Sequence, residues 1–503
     1  MTSKPKVLLF NPRAANHKPR IPNSVLQVAA SINHFCDWVI VDGNLEENPE
    51  EKIFSLLTKS DFSFFGSTVM PGPQLKQAIP ITKKIKEKFP NITTIWGGYF
   101  ASNQTKICLE SGFVDFVING PGDRAVPLLI ESVLENKSFE EVPNLCFIRS
   151  DGKIIQTKKD PLYDQDVLPD LPYKKLNEFY PIKKYLGKTY LGTQTIAYHS
   201  SFGCPFTCSF CAVVPIYNAK WKGKSAQKIF DDILFLKEKF GGNAIEFHDN
   251  NFFVNEKRVV EFSKLMLGQN MQWWGEGRID TIDKYSDESL ALMKEAGCKM
   301  IFFGAETGND EILKKMDKGG KQSGKQIAEF AARMQKFGIV PEYSFVLGTP
   351  AENEEKVMNQ INEDIEFIKK IKSINPFTEI IIYVYSPVAT EGSEMYEAVK
   401  ASGFKFPQKL EDWLNNDWLN FDLRKNPLTP WLTPAMIDKI KNFETVLNSY
   451  FPTATDHKLK NYQLKILKSF SSFRYKTGFY SFPYELKVIQ KLLKYRQPEK
   501  EGF

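Results

Sequence analysis

The stretch Thr195–Cys211, TIAYHSSFGCPFTCSFC, reads as a short buried strand running into a loop with three cysteines in eight residues. Thr195–His199 has the apolar and β-branched content of such a strand. Cys204, Cys208 and Cys211 follow at the spacing C-x3-C-x2-C, and Ser225–Phe240 then takes a helical pattern. Parallel α/β folds are built from this unit and place their sites where strands end.

Three thiolates on one loop can hold three irons of a [4Fe–4S] cluster and leave the fourth iron open to an exogenous ligand. A structural zinc site would want a fourth Cys or His. The nearest histidines, His199 and His248, are not suitably placed. The other four of the seven cysteines, Cys36, Cys108, Cys146 and Cys298, are scattered, which excludes a disulfide scaffold. No apolar run approaches the roughly 18–20 residues of a membrane span, and the start, MTSKPKVLLFNPRA, lacks a signal-peptide pattern. A cytoplasmic, reducing setting is therefore expected.

Outward from the loop, strand patterns recur at Ala244–Phe247, Gln272–Gly275, Met300–Phe303, Tyr343–Leu347 and Ile380–Val384. Helical stretches such as Asp287–Ala296 lie between them. Residues 191–400 therefore predict a (βα)6 partial TIM-type barrel. Upstream, residues 1–142 alternate Val7–Phe10, Trp38–Val41, Phe62–Phe65, Ile92–Trp96 and Val114–Ile118 with helices such as NSVLQVAASI and Leu75–Phe89. This predicts a Rossmann-like, doubly wound parallel sheet. Residues 143–190 are rich in Pro, Asp, Lys and Tyr and read as a linker, with a hairpin at Ser150-Asp151-Gly152. Residues 401–503 lose the strand pattern and read as mainly helical. A chain of 503 residues, 42% hydrophobic and 25% charged, suits several packed domains and excludes a largely disordered one.

The loop SSFGCPFTCSFC at the first barrel strand resembles the cluster motif of the radical S-adenosylmethionine (SAM) superfamily. The resemblance implies that Cys204, Cys208 and Cys211 bind the [4Fe–4S] cluster and that the open iron takes the amino and carboxylate groups of SAM. SAM is then cleaved to methionine and a 5′-deoxyadenosyl radical, and Phe210 contacts the adenine. Further segments resemble the superfamily in order: Glu246–Phe252 with Asp249, where Asn250 replaces a second Asp; Arg278; Gly304-Ala305-Glu306-Thr307-Gly308 with Leu313 and Lys318-Gly319; Gly348-Thr349-Pro350; and Ser386-Pro387 with Glu391-Gly392-Ser393. They imply SAM contacts from Asp249, Arg278, Glu306 and Gly348. A cofactor with an ammonium, a carboxylate and a ribose needs carboxylates, a cation and closely approaching backbone. His248 is read as a packed or supporting histidine.

The N-terminal sheet resembles the cobalamin-binding domain that precedes the barrel in one large radical SAM class. The matching pieces are Asn11-Pro12, Pro22 with its helix, Gly66-Ser67-Thr68, Gly97-Gly98-Tyr99-Phe100-Ala101-Ser102 and Gly120-Pro121-Gly122-Asp123. They imply cobalamin contacts from Ser67, Thr68, Gly97, Gly98 and Gly120. The sequence departs from the class in lacking D-x-H-x-x-G, and Phe100 stands where a His is usual. His17 and His34 lie outside any matching context. Cobalamin is thus expected base-off, without a histidine ligand. No G-x-G-x-x-G follows the first strand, so a dinucleotide is not expected.

The net charge of +6, 66 Lys and Arg against 60 Asp and Glu, hides an uneven tail. From Lys458 to Lys500 there are eleven basic and two acidic residues, interleaved with nine Phe and Tyr. The favoured expectation is a helical lid that packs its aromatics on the barrel and leaves its lysines in solvent. The alternatives are a peripheral membrane surface for a lipid substrate and an anionic-substrate pocket. Nucleic acid is not expected, since no binding motif accompanies the charge. Trp413, Trp418 and Trp431 are read as core or cavity-closing residues.

The resemblance implies a cobalamin-dependent radical SAM enzyme that methylates an unactivated carbon of a small-molecule or lipid substrate. It draws electrons from an external flavodoxin- or ferredoxin-type donor. A cyclase, oxidase or rearrangement enzyme with the same cofactors is the runner-up, and a non-catalytic cluster or cobalamin sensor the third reading. No acid–base triad is evident, which suits radical chemistry.

Overall fold

The computed structural model describes residues 4–14, 19–316, 322–385, 394–401, 403–419, 428–453, 459–493 and 495. Seven strands form the first sheet: β1 (Lys6–Asn11), β2 (Asp37–Asp42), β3 (Phe64–Thr68), β4 (Thr93–Gly97), β5 (Phe116–Ile118), β6 (Leu145–Ile148) and β7 (Ile154–Gln156). Their order is β2-β1-β3-β4-β5-β6-β7, and β1 to β5 are parallel. Apolar residues run unbroken along β1 because both faces are covered. Val7 and Leu9 pack with Val25, Leu26 and Ala29 of helix Asn23–Ile32. Leu8 and Phe10 pack on the other side with Ile53, Leu57, Ile81 and Ile85. This is the doubly wound arrangement the alternation predicts.

The boundary at residue 142 requires correction. β6 pairs antiparallel with β5, and β7 with β6, so the first part of the supposed linker extends the sheet. The hairpin stands where Ser150-Asp151-Gly152 placed it, with Gly152 at φ +81°. Leu145, Cys146 and Phe147 are buried, and they cover the open edge of β5.

The second sheet has six parallel strands: β8 (Thr195–Tyr198), β11 (Ala244–Phe247), β12 (Gln272–Gly277), β13 (Cys298–Glu306), β14 (Val340–Leu347) and β15 (Glu379–Val384). Between β8 and β11, β9 (Ser201–Gly203) and β10 (Trp221–Gly223) form a small hairpin. The six run in chain order from β8 to β15, and these edge strands do not pair with each other. The result is a partial barrel. Helix Pro434–Tyr450 packs beside β15, burying Ile440, Phe443 and Val446 in the barrel's core. Trp413 packs instead on the first domain, with its ring 5.0 Å from Phe100 and 4.5 Å from Trp418. Among the described residues no helix is long and apolar enough to cross a membrane.

Candidate active site

The cysteine loop is anchored at both ends. Gly203 sits at φ +73°, and a Cβ there would lie 2.1 Å from the Lys220 carbonyl across the β9–β10 hairpin. Only glycine fits just before Cys204. Asp249, beyond the end of β11, takes the Ser200 N–H on both carboxylate oxygens at 3.1 Å. It also accepts from the Ser200 hydroxyl at 2.8 Å and from the Ser201 hydroxyl. Buried Arg258 adds bonds to Ser200 Oγ at 3.1 Å and to the Phe252 carbonyl at 2.7 Å. At the far end, Ser209 donates from its N–H to Met316 O at 3.2 Å and from its hydroxyl to Lys315 O at 3.0 Å. Cys204 and Cys208 lie between these anchors and Cys211 two residues beyond Ser209, all half-exposed.

A cation faces the thiols. Arg278 Nη1 lies 3.1 Å from Cys208 Sγ, while Nε and Nη2 hold Asp280 through two 2.9 Å bonds. Its guanidinium stacks 4.0 Å from the centre of the Phe206 ring. Burial opposes the charge of Arg278, but Asp280 and the neighbouring thiols hold it firmly protonated. Burial pushes the Cys204 thiol up, against the Phe206 N–H that favours the thiolate. Three half-exposed thiols with a fixed cation against one of them suit an anionic iron–sulfur cluster.

Two of the expected SAM contacts, Asp249 and Gly348, have other partners in this structure. The oxygens of Asp249 are taken by Ser200 and Ser201, so this residue shapes the loop rather than facing an opening. Gly348, at φ +82°, lies under the C-terminal region: a Cβ would meet Leu432 at 2.9 Å, and Trp431 Nε1 donates to its carbonyl at 2.9 Å. Glu306 differs. The β13–β14 register slips between Gly304 and Glu306, and Glu306 is buried at φ +64°, a costly conformation for a non-glycine residue. Asp364 fixes the turn by accepting from Thr307 Oγ1 at 2.6 Å and the Gly308 N–H at 3.1 Å. Strain of this kind gathers where a side chain must be aimed. Phe210 is half-buried on the loop itself. Lys318-Gly319, Ser386-Pro387 and Glu391-Gly392-Ser393 lie outside the described residues, as does His17.

The strand ends of the first sheet face this loop. The Tyr99 hydroxyl donates to Asn250 Oδ1, so the residue that departs from the usual Asp is a link between the domains. Asn103 Nδ2 reaches the Ala212 carbonyl at 3.3 Å, next to Cys211. Lys159 donates to Asn119 Oδ1 at 2.6 Å and to the carbonyls of Pro215 and Ile216 at 3.1 and 2.7 Å. Arg20 crosses to Glu246 at 2.8 Å. Of the sheet's expected contacts, Ser67 is buried and Thr68 Oγ1 accepts from Ser24 at 3.3 Å. A Cβ on Gly98 would lie 2.9 Å from Thr68 Oγ1, and one on Gly120 would lie 3.2 Å from the Asn144 side chain. A Cβ on Gly97 would meet nothing closer than 3.9 Å. Phe100 is buried against Trp413, so the usual His position has become core.

Around these strand ends, buried polar atoms stand without hydrogen-bond partners among the described residues. They are both oxygens of Asp123, Asn23 Oδ1, Gln27 Nε2 and Asn103 Oδ1. Burial pushes the Asp123 carboxyl up to about 6. Such orphans are costly unless a ligand satisfies them, and a corrin rimmed with amides offers both donors and acceptors. The residues present therefore fit the group.

The barrel wall beneath holds ionisable groups that chain order alone does not bring together. Burial, with Asp249 and Glu342 nearby, pushes Glu276 up to about 8. His199, just past the end of β8, is exposed, with its ring 6.1 Å from that of His248. Burial of Glu246 is outweighed by His248, whose Nε2 is 3.5 Å away, and by Arg20. Arg20 and Lys159 carried no warning in sequence, while Tyr99 and Asp123 lie within the matching pieces Gly97–Ser102 and Gly120–Asp123.

Residues 198–363 match the model of the radical SAM superfamily, so the barrel is a radical SAM domain and the chain is an enzyme of that superfamily. Two solved structures share the fold over nearly its whole length. They are the cobalamin-dependent S-adenosylmethionine radical enzyme OxsB (TM-score 0.71, 15% identity, 98% of this chain and 75% of that one) and the radical S-adenosylmethionine methyltransferase TsrM from Kitasatospora setae (0.65, 13%, 97% and 98%). The order of N-terminal sheet, barrel and helical C-terminus is therefore the one these two structures share with this chain. Among sequence relatives, a protein of Pyrococcus horikoshii named an uncharacterized methyltransferase is 25% identical, over 73% of this chain and 78% of its own. The anaerobic magnesium-protoporphyrin IX monomethyl ester cyclase of Synechocystis is 29% identical, and the chain spans 48% of its length. The hopanoid C-3 methylase of Methylococcus capsulatus is 27% identical, with 45% of its length spanned.

Proposed function

We propose that the chain is a cobalamin-dependent radical SAM methyltransferase that adds a methyl group to an unactivated carbon. The observation that carries the reading is the anchored cysteine loop in contact with the first domain, beside buried polar atoms that lack partners among the described residues. Cys204, Cys208 and Cys211 are assigned the [4Fe–4S] cluster; Arg278, Glu306 and Phe210 are assigned SAM. Ser67, Thr68, Gly97, Gly98 and Gly120 are assigned cobalamin, and Asp123, Asn23 and Gln27 join them.

When bound, these groups supply a 5′-deoxyadenosyl radical to remove a substrate hydrogen and a methyl group to replace it. The protein's own part is positional. Asp249 and Ser209 hold the loop, Arg278 balances thiolate charge, and the strained backbone at Glu306 aims its carboxylate. Glu276, held neutral, lines the barrel with a hydrogen-bonding group instead of a strong base. The substrate is a small molecule or a lipid, and an external flavodoxin- or ferredoxin-type donor reaches the loop where Pro205 and Thr207 are exposed.

The test is anaerobic turnover with methyl-labelled SAM, reductant and candidate substrates, with and without cobalamin. The reading expects cobalamin-dependent label in the product, with 5′-deoxyadenosine and S-adenosylhomocysteine formed in equal amounts. 5′-Deoxyadenosine and product without S-adenosylhomocysteine would overturn methyl transfer in favour of cyclase- or oxidase-type chemistry.

A further inference from the structure

The C-terminal aromatics do not pack on the barrel as expected. Helix Asn461–Thr477 buries Leu467, Ser471 and Tyr475. It leaves Tyr462, Ile466, Phe470 and Phe473 exposed, at i, i+4, i+8 and i+11, with Phe473 68% accessible. That spacing makes one continuous apolar stripe. Helix Tyr484–Leu492 repeats the pattern: Leu486 is buried, and Tyr484, Val488 and Leu492 are exposed, the last at 77%. The turn between the helices carries exposed Phe479 and Phe482, with Phe482 68% accessible and stacked 6.0 Å from Tyr484. Arg474 ties turn to helices, donating to Ser481 O at 2.7 Å and pairing with Glu485. Only Tyr475, Tyr480 and Tyr495 of the nine aromatics are buried.

Soluble surfaces rarely leave so many large apolar groups exposed together. The charge around them is one-sided. Lys465, Lys468, Lys476 and Lys487 are exposed on the same two helices, and Glu485, the acid among the described residues of this segment, is neutralised by Arg474. A second copy docking through the same patch would set lysines against lysines, an unfavourable symmetric contact. Apolar stripes edged by lysines match a negatively charged bilayer surface, where rings enter the interface and ammonium groups meet headgroups.

We propose that helices Asn461–Thr477 and Tyr484–Leu492, with the turn between them, dock this enzyme on an anionic lipid surface. The inference does not depend on the reaction assigned above.

The test is flotation of the full chain with phosphatidylcholine vesicles and with vesicles containing phosphatidylglycerol. Binding is expected to the anionic vesicles and to weaken as salt is raised. Replacing Lys465, Lys476 and Lys487 with Glu should weaken it on the order of 100-fold or more. Phe470→Ser with Phe473→Ser and Phe482→Ser should also abolish flotation; these rings are exposed, so the fold and reconstituted cluster absorbance should be unchanged. No flotation of the wild type, or equal flotation with neutral vesicles, would overturn the proposal. A concentration-dependent dimer abolished by the Phe variants, without lipid binding, would overturn it in favour of self-association.

Discussion

Arg278 Nη1 stands 3.1 Å from Cys208 Sγ, held there by paired 2.9 Å bonds to Asp280 and by the face of Phe206. A fixed cation against one cluster ligand favours the more negative, reduced state. Arg278→Gln is therefore expected to lower the reduction potential of the reconstituted cluster by on the order of 50 mV or more, about 59 mV being tenfold for one electron. Arg278→Lys should recover part of the shift. A redox titration followed by electron paramagnetic resonance reads it, and an unchanged potential would remove Arg278 from the account.

Asp123 separates apo stability from cofactor binding. Its carboxyl is buried, unpartnered and pushed up to about 6. A raised folded value means that its contribution is fully present below the ordinary carboxylate range and lost as pH rises through about 6. Asp123→Asn should flatten the apo protein's thermal midpoint across that window while reducing cobalamin retention. Equal retention in the two proteins would contradict the assignment.

Glu306 should trade stability against function. Glu306→Gly relieves a buried positive φ of +64°, with an expected gain of about 1 kcal/mol after the entropy cost of glycine. SAM binding, measured by equilibrium dialysis, should fall at least tenfold. A variant that keeps both affinity and turnover would show that the bulge aims nothing.

Glu276 predicts a pH effect at higher values. Burial, then Asp249 and Glu342, raise its carboxyl to about 8, so its contribution is lost as pH climbs through that value. Thermal stability should decline between about pH 6 and 9 and decline less in Glu276→Gln. Parallel curves would contradict this.

Both sheets were legible because their strands are buried on both sides, so VLLF at Val7–Phe10 and AIEF at Ala244–Phe247 stand out as short runs. The cysteine loop was legible from spacing alone. The contacts that bring the domains together were not: Arg20 meets Glu246 across 226 residues and Tyr99 meets Asn250 across 151, and neither leaves a local pattern. The bonds of Asp249 to Ser200 and Ser201 were equally illegible, because sequence shows residue type but not which donors a carboxylate meets. The C-terminal helices misled for a related reason. The stripe Tyr462–Ile466–Phe470–Phe473 has the spacing of a core face, yet the neighbouring helix Pro434–Tyr450 covers the other side, at Leu467, Ser471 and Tyr475.

The central claim is that the strand ends of the first sheet, next to the cysteine loop, hold cobalamin without a protein nitrogen on cobalt, since Phe100 fills the usual histidine position as a core residue. The most direct measurement is electron paramagnetic resonance of the cob(II)alamin-loaded protein after gel filtration. The account predicts one retained cobalamin per chain and a base-off spectrum without nitrogen superhyperfine splitting. Loss of cobalamin on the column, or nitrogen splitting in the retained species, would contradict it.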